Sequence, residues 1–305
     1  MTGVLTGFAV IAAVIGAGYL VGAFGILGDR APFVLSRLVF FVLSPCLLFT
    51  VLADADVHTL FSSGLVVAAV SAVVCALAFA GIALLVFRRA VPEAVIGSLA
   101  SGYVNANNIG IPVAVYVLGS PAYSAPVLLM QLLLLAPIAL TILDISIRGR
   151  VSLARTLLQP LRNPLLIGSA FGVLVAVSGI ELPDPVMEPF RMVGAAAVPV
   201  VLIGYGMSLH GQRVFAANSG RRDVVVASAL KLIVMPLVAW LTATALGLEG
   251  EALRAVVVLA ALPAAQNVFN YAQRYDRGVV LARDVVFITT VGSLPVLLVV
   301  SLLLA

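Results

Sequence analysis

The 305 residues are 63% hydrophobic and only 10% charged, with a formal net charge of +4 and a mean hydropathy of +1.21. An ordinary soluble domain carries about 25% charged residues, so a soluble enzyme, a nucleic-acid-binding domain and a disordered chain are all excluded. The composition fits an all-α polytopic membrane protein, in which lipid forces every backbone polar group to be satisfied within helices.

Ten apolar runs follow in chain order, at about 4–27, 33–53, 61–87, 94–118, 122–146, 163–180, 187–209, 224–247, 252–273 and 281–304. The first has no basic flank and is too long for a signal-peptide core, so it reads as an uncleaved span. Arginines Arg30, Arg88, Arg89, Arg148, Arg150, Arg155, Arg162, Arg213, Arg221, Arg222, Arg274 and Arg277 occupy one set of alternate loops. The opposite set carries Asp54, Asp56, Glu181, Asp184, Glu188, Glu249 and Glu251, with only Arg191 and Arg254. That asymmetry places the arginine-rich loops inside and, with an even number of spans, both termini outside. The bacterial inner membrane is the expected location.

The order of features repeats. Arg37 and Pro45 in span 2 recur as Arg191 and Pro199 in span 7, an offset of 154; Glu93 recurs as Glu251, and Pro137 as Pro295, both at an offset of 158. Five spans followed by five make the second copy upside down, the inverted-repeat plan of many secondary transporters. Residues 1–147 then form the first repeat, 148–162 a cytosolic linker and 163–305 the second repeat.

The middle of span 4 holds Asn105, Asn107, Asn108, Gly110 and Pro112, and the middle of span 9 holds Pro263, Gln266, Asn267 and Asn270. An offset of 158 superposes Asn105 on Pro263 and Asn108 on Gln266. Carboxamides at mid-membrane depth are costly unless they face protein, water or substrate. Pro112 and Pro263 remove backbone donors, and Gly110 loosens its turn. Paired interruptions at matching depth point to a substrate site, and half-helix N-termini beside neutral amides suit a small organic anion.

At these residues the chain resembles the auxin efflux carrier family in its short prokaryotic form. The resemblance rests on Asn-Asn-Ile-Gly-Ile-Pro at 107–112, on Leu-Pro-Ala-Ala-Gln-Asn-Val-Phe-Asn-Tyr-Ala-Gln-Arg-Tyr at 262–275 and on Leu-Ser-Pro-Cys-Leu-Leu-Phe at 43–49. It implies ten spans as two inverted repeats, with spans 4 and 9 broken and crossing at Pro112 and Pro263. It also implies a scaffold of spans 1, 2, 6 and 7, a transport unit of the other six, and alternating access. The substrate would be an auxin-like weak acid or a dicarboxylate such as malate or malonate. The long cytosolic loop of plant members is missing here.

Lys231, the sole lysine, lies about 12 Å into span 8 and needs a partner or a neutral state. Asp284 and then Asp144 are the nearest candidates by depth, and the group would serve coupling or electrostatic support. His58 and His210 sit at span ends as interfacial residues. Cys46 and Cys75 are apolar fillers without metal spacing, so no metal or cofactor is expected. An intramembrane hydrolase would need a mid-membrane serine with a histidine, paired aspartates or a His-Glu-x-x-His motif, but both histidines are peripheral and that motif is absent; a channel would need a continuous polar stripe. The alternatives are a carrier like the bile-acid:sodium symporters, whose acidic ligands spans 4 and 9 lack, and a non-transporting sensor. Expected partners are a small carboxylate and the bilayer, with a second copy of the chain as a candidate and no nucleic acid.

Overall fold

The computed structural model describes residues 2–28, 30–54, 63–148, 163–180, 182–210 and 220–304. The 148–162 linker falls almost wholly outside them, as do His58 and Arg213. Every regular element among the described residues is helical.

Among the described residues, six helices are long and apolar enough to cross a membrane: α2 (Ala31–Ala53), α3 (Ser63–Val86), α6 (Pro121–Ile147), α8 (Asp184–Leu209), α9 (Arg221–Ala245) and α12 (Val279–Leu303). Two further helices, α1 (Thr2–Ala23) and α7 (Pro164–Ser178), are apolar as well. The runs read as spans 4 and 9 are each two helices. The first pair is α4 (Val91–Gly102) and α5 (106–116); the second is α10 (Gly250–Ala260) and α11 (Gln266–Tyr275). Large apolar side chains such as Leu77, Leu85 and Ile233 lie exposed along these helices, a surface that lipid covers and water would not tolerate.

The chain divides into two units. The first takes the described residues of Met1–Ser62, Asn107–Ala125 and Leu158–Gln212; the second takes those of Ser63–Ala106, Pro126–Leu157 and Arg213–Ala305. Residues 107–125 thus group with the first unit, whereas the resemblance assigns all of span 4 to the transport unit.

In the first unit α1 packs on the second half of α8, and the second half of α2 packs on α7. Lipid provides no hydrophobic drive for such contacts, so close backbone approach must supply the attraction. Glycine makes that approach possible: a Cβ on Gly206 would run into the Ile15 carbonyl, and one on Gly168 would lie 2.5 Å from the Pro45 carbonyl. The second unit has a larger core. Phe79 of α3, Ile96 and Ala100 of α4, Leu140 and Leu143 of α6, Val268 and Ala272 of α11, and Val285 of α12 are buried together.

Among the described residues, four helices widen by one residue into a π-turn ahead of a proline, at Val39–Leu43, Ala106–Gly110, Gln131–Leu135 and Leu230–Val234. Each is followed two residues later by a proline: Pro45, Pro112, Pro137 and Pro236. A proline ring cannot bond the carbonyl four residues back and collides with it. The residue before the proline then bonds five back instead, as Ser44 does to Val39, Ala136 to Gln131 and Met235 to Leu230. A fifth π-turn, Ile82–Val86, has no proline behind it. Pro295 lies inside the regular helix α12, so the Pro137/Pro295 correspondence in sequence does not extend to backbone shape.

Gly206→Leu and Gly168→Leu should each destabilise the first unit by about 1–3 kcal/mol through overpacking. Thermal unfolding in detergent measures this, with Gly16→Leu, where a Cβ meets nothing within 4 Å, as the neutral comparison.

Candidate functional site

The two helix breaks of the second unit are bonded to each other. Residues 103–105 leave α4 in an extended conformation, with Tyr103 at φ −94° and ψ 110°. They run antiparallel to 263–265 through a bridge between Val104 and Ala264. The Asn105 N–H donates to the Pro263 carbonyl at 2.9 Å, and the Ala265 N–H donates to the Tyr103 carbonyl at 3.0 Å. Asn105 and Pro263 are the pair that the 158-residue offset superposes, and they meet through the backbone.

The second break has a local cause. Pro263 deprives α10 of its next donor and pushes Leu262 out of the helical region. Gly102, the last residue of α4, lets the Ala72 carbonyl of α3 come within 2.5 Å of where a Cβ would be. The span-4 break lies at residues 103–105, upstream of Gly110 and Pro112, the residues whose backbone chemistry and family resemblance had marked it. Pro112 and Gly110 belong to α5, where the π-turn before Pro112 makes room for its ring and its missing N–H.

The interrupted peptide groups find other partners. The Ala264 N–H donates to the Thr289 hydroxyl of α12 at 3.0 Å, and that hydroxyl donates to the Val285 carbonyl. The Lys231 ammonium donates to the Ala260 carbonyl at 2.8 Å. The Tyr103 hydroxyl lies beside the side chains of Tyr271 and Asn267. Thr289, Tyr103 and Tyr271 carried no signal in the sequence, since a threonine or tyrosine in an apolar run is ordinary; only the fold aims them at the break.

The predicted residues separate into groups. Asn105 is buried. Gln266 and Asn267 are half-buried in the first turn of α11, and Asn270 is exposed one turn on. The three share the face of α11 opposite Val268, Ala272 and Tyr275, which are buried. The first-turn N–H groups of α11 have no helical carbonyl before them, so this end carries partial positive charge. Asn107 and Asn108 lie half-buried in the π-turn of α5, in the first unit, and the Asn107 amide donates to the Asn108 oxygen at 2.9 Å.

The predicted charge pairing is not what forms. Lys231 is fully buried, and its ammonium bonds Ala260 and the Met235 sulfur. Asp284 pairs with its neighbour Arg283 at 2.8 Å, and Asp144 accepts from the Tyr275 hydroxyl at 3.0 Å. Arg89, in the α3–α4 connection, instead makes a two-pronged pair with Asp223 at the start of α9, at 3.0 and 2.7 Å. That hydrogen bonding and charge hold the Arg89 guanidinium above its ordinary value. Gln131, at the start of a π-turn, is a further buried amide whose Nε2 lacks a hydrogen-bond partner among the described residues.

Comparison with known proteins now fixes the family. A family model described as "Membrane transport protein" matches residues 4–149 and 148–301. The chain belongs to the auxin efflux carrier family of membrane transporters. An "Uncharacterized transporter" of Methanothermobacter thermautotrophicus is 27% identical over 91% of this chain and 90% of its own length. The "Probable auxin efflux carrier component 5c" of Oryza sativa is 30% identical over 48% of the chain, and "Auxin efflux carrier component 3" of Arabidopsis thaliana 26% over 52%. These alignments span only 40% and 25% of the two plant proteins. The family and the apolar helices together make the chain a multi-pass membrane transporter.

Thr289→Val, which keeps the shape but leaves the Ala264 N–H without its acceptor, should cost about 1–3 kcal/mol. Thr289→Ser keeps the hydroxyl and should cost clearly less. Thermal unfolding of the purified variants measures the difference.

Proposed function

We propose that this transporter is a secondary carrier of a small organic anion, a weak monocarboxylic acid or a dicarboxylate, working by alternating access. The observation that carries the reading is the mutual bonding of the two breaks, with amide side chains immediately following. In this account α4–α5 and α10–α11 each count as one span, which with the other eight helices makes ten. They are two inverted repeats whose broken spans 4 and 9 cross, with both termini outside and the arginine-rich loops in the cytosol. The helix pairings support the repeat. Under an exchange of halves, span 1 on span 7 becomes span 6 on span 2, and both contacts exist.

The chemistry follows from the surroundings of the second-unit break. A carboxylate at the first turn of α11 would accept from the N–H groups of Gln266 and Asn267 and meet the favourable end of the helix dipole. The side chains of Asn105, Gln266, Asn267 and Asn270 would supply further neutral donors. Tyr103, beside Asn267, would help to hold that amide in one orientation. Neutral donors suit a carrier that must release its anion, because a fixed positive charge would hold it too tightly. Asn107 and Asn108 continue the amide run into the first turn of α5.

Uptake of a panel of mono- and dicarboxylates into proteoliposomes tests the proposal. At least one carboxylate should accumulate. Asn267→Ala and Asn105→Ala should each weaken its binding by about 1–3 kcal/mol, roughly 5- to 150-fold. Pro263→Ala should reduce flux more than stability. No saturable uptake of any carboxylate by a well-folded protein would contradict the reading.

A further inference from the structure

Lys231 takes no part in the anion site just described, yet it is the one lysine of the chain and is wholly buried. Its ammonium reaches the place where α10 stops. The last four carbonyls of a helix lack intrahelical donors. At this end the Val257 carbonyl is recovered by the Ala261 N–H and the Leu259 carbonyl by the Leu262 N–H. In an unbroken helix the Ala260 carbonyl would accept from the Ala264 N–H, which here goes to Thr289. Lys231 takes its place at 2.8 Å, with the Met235 sulfur 3.1 Å away on its other side. Among the described residues no carboxylate forms an ion pair with Lys231; Asp284 and Asp223 are committed to Arg283 and Arg89. The counter-charge is the negative end of α10 and its carbonyl oxygen.

A carbonyl-lined C-terminal end of a half-helix is where carriers built from broken helices coordinate their coupling cation. We propose that the Lys231 ammonium is a tethered substitute for such a cation, so that this carrier needs no sodium at the end of α10. The inference rests on the carrier reading above, but its principal test needs no transport. The π-turn at Leu230–Val234, set by Pro236, turns Lys231 to this point. Cys75 of α3, whose thiol donates to the Leu230 carbonyl at 3.6 Å, braces the same turn.

Thermal unfolding of purified protein in choline chloride, sodium chloride and propylammonium chloride decides the matter. Propylammonium reproduces the side-chain atoms that Lys231→Ala removes. The wild type should unfold at the same temperature in all three salts. Lys231→Ala should unfold several degrees lower in choline and regain most of the loss in sodium or propylammonium. Lys231→Met, which fills the space without charge, should stay low in all three. Sodium stabilisation or sodium-dependent flux of the wild type would overturn the proposal, as would a Lys231→Ala protein as stable as wild type in choline or not recovered by either cation. If Lys231→Ala does not fold in any salt, Lys231→Gln decides, since it keeps a donor without the charge. Wild-type stability of Lys231→Gln in choline would overturn the proposal, and a loss there reduced by sodium would support it. Loss of the substrate reading would show instead as absent carboxylate uptake by a wild type with this same salt profile.

Discussion

A helix interrupted inside a membrane leaves peptide groups that lipid cannot hydrogen-bond, and each such group costs several kcal/mol. In this protein two interruptions answer each other. The Asn105 and Ala265 N–H groups bond to the carbonyls of Pro263 and Tyr103 across a single antiparallel bridge. What that pair leaves over is met by side chains from flanking helices, Thr289 for the Ala264 N–H and Lys231 for the Ala260 carbonyl. The breaks are affordable only as a set, which accounts for polar residues at several separate places in an otherwise apolar chain.

The remaining irregularities act on the same constraint from outside the breaks. Four prolines each widen a helix by one residue without leaving a donor unmatched, because the residue before the proline bonds five back. The extra residue rotates everything beyond it, and two of the π-turns begin at or beside a buried polar side chain, Gln131 and Lys231. Among the described residues of the first unit there are no extended breaks inside a span. Its helices instead lie close enough for glycine alone to fit at Gly168 and Gly206.

Much of this was legible in the chain. Composition gave the membrane class, and the 158-residue offset put Asn105 opposite Pro263, the two residues whose backbones meet. The location of the first break was not legible, because Pro112 draws attention although the π-turn before it absorbs its ring and the helix runs on. Tyr103 to Asn105 are extended without any local breaker and are held out by the partner segment. The Lys231–Asp284 pairing failed for a different reason. Depth along a span fixes height but not the direction a side chain faces, and a π-turn shifts that direction by a residue. Asp284 satisfied itself on Arg283, its own neighbour. The ten apolar runs correspond to eight apolar helices and two split pairs among the described residues, because hydropathy averages over an interruption of three to five residues.

The central claim is that the bonded breaks leave the first turn of α11 ready for a carboxylate. Amide hydrogen exchange resolved to single residues tests it most directly, on the protein with and without a transported carboxylate. The account predicts that the Asn105 and Ala265 amides are protected in both samples. The Gln266 and Asn267 amides should exchange rapidly alone and become protected when the carboxylate is added. Rapid exchange at Asn105 and Ala265, or carboxylate protection appearing elsewhere in the chain and not at Gln266 and Asn267, would contradict it.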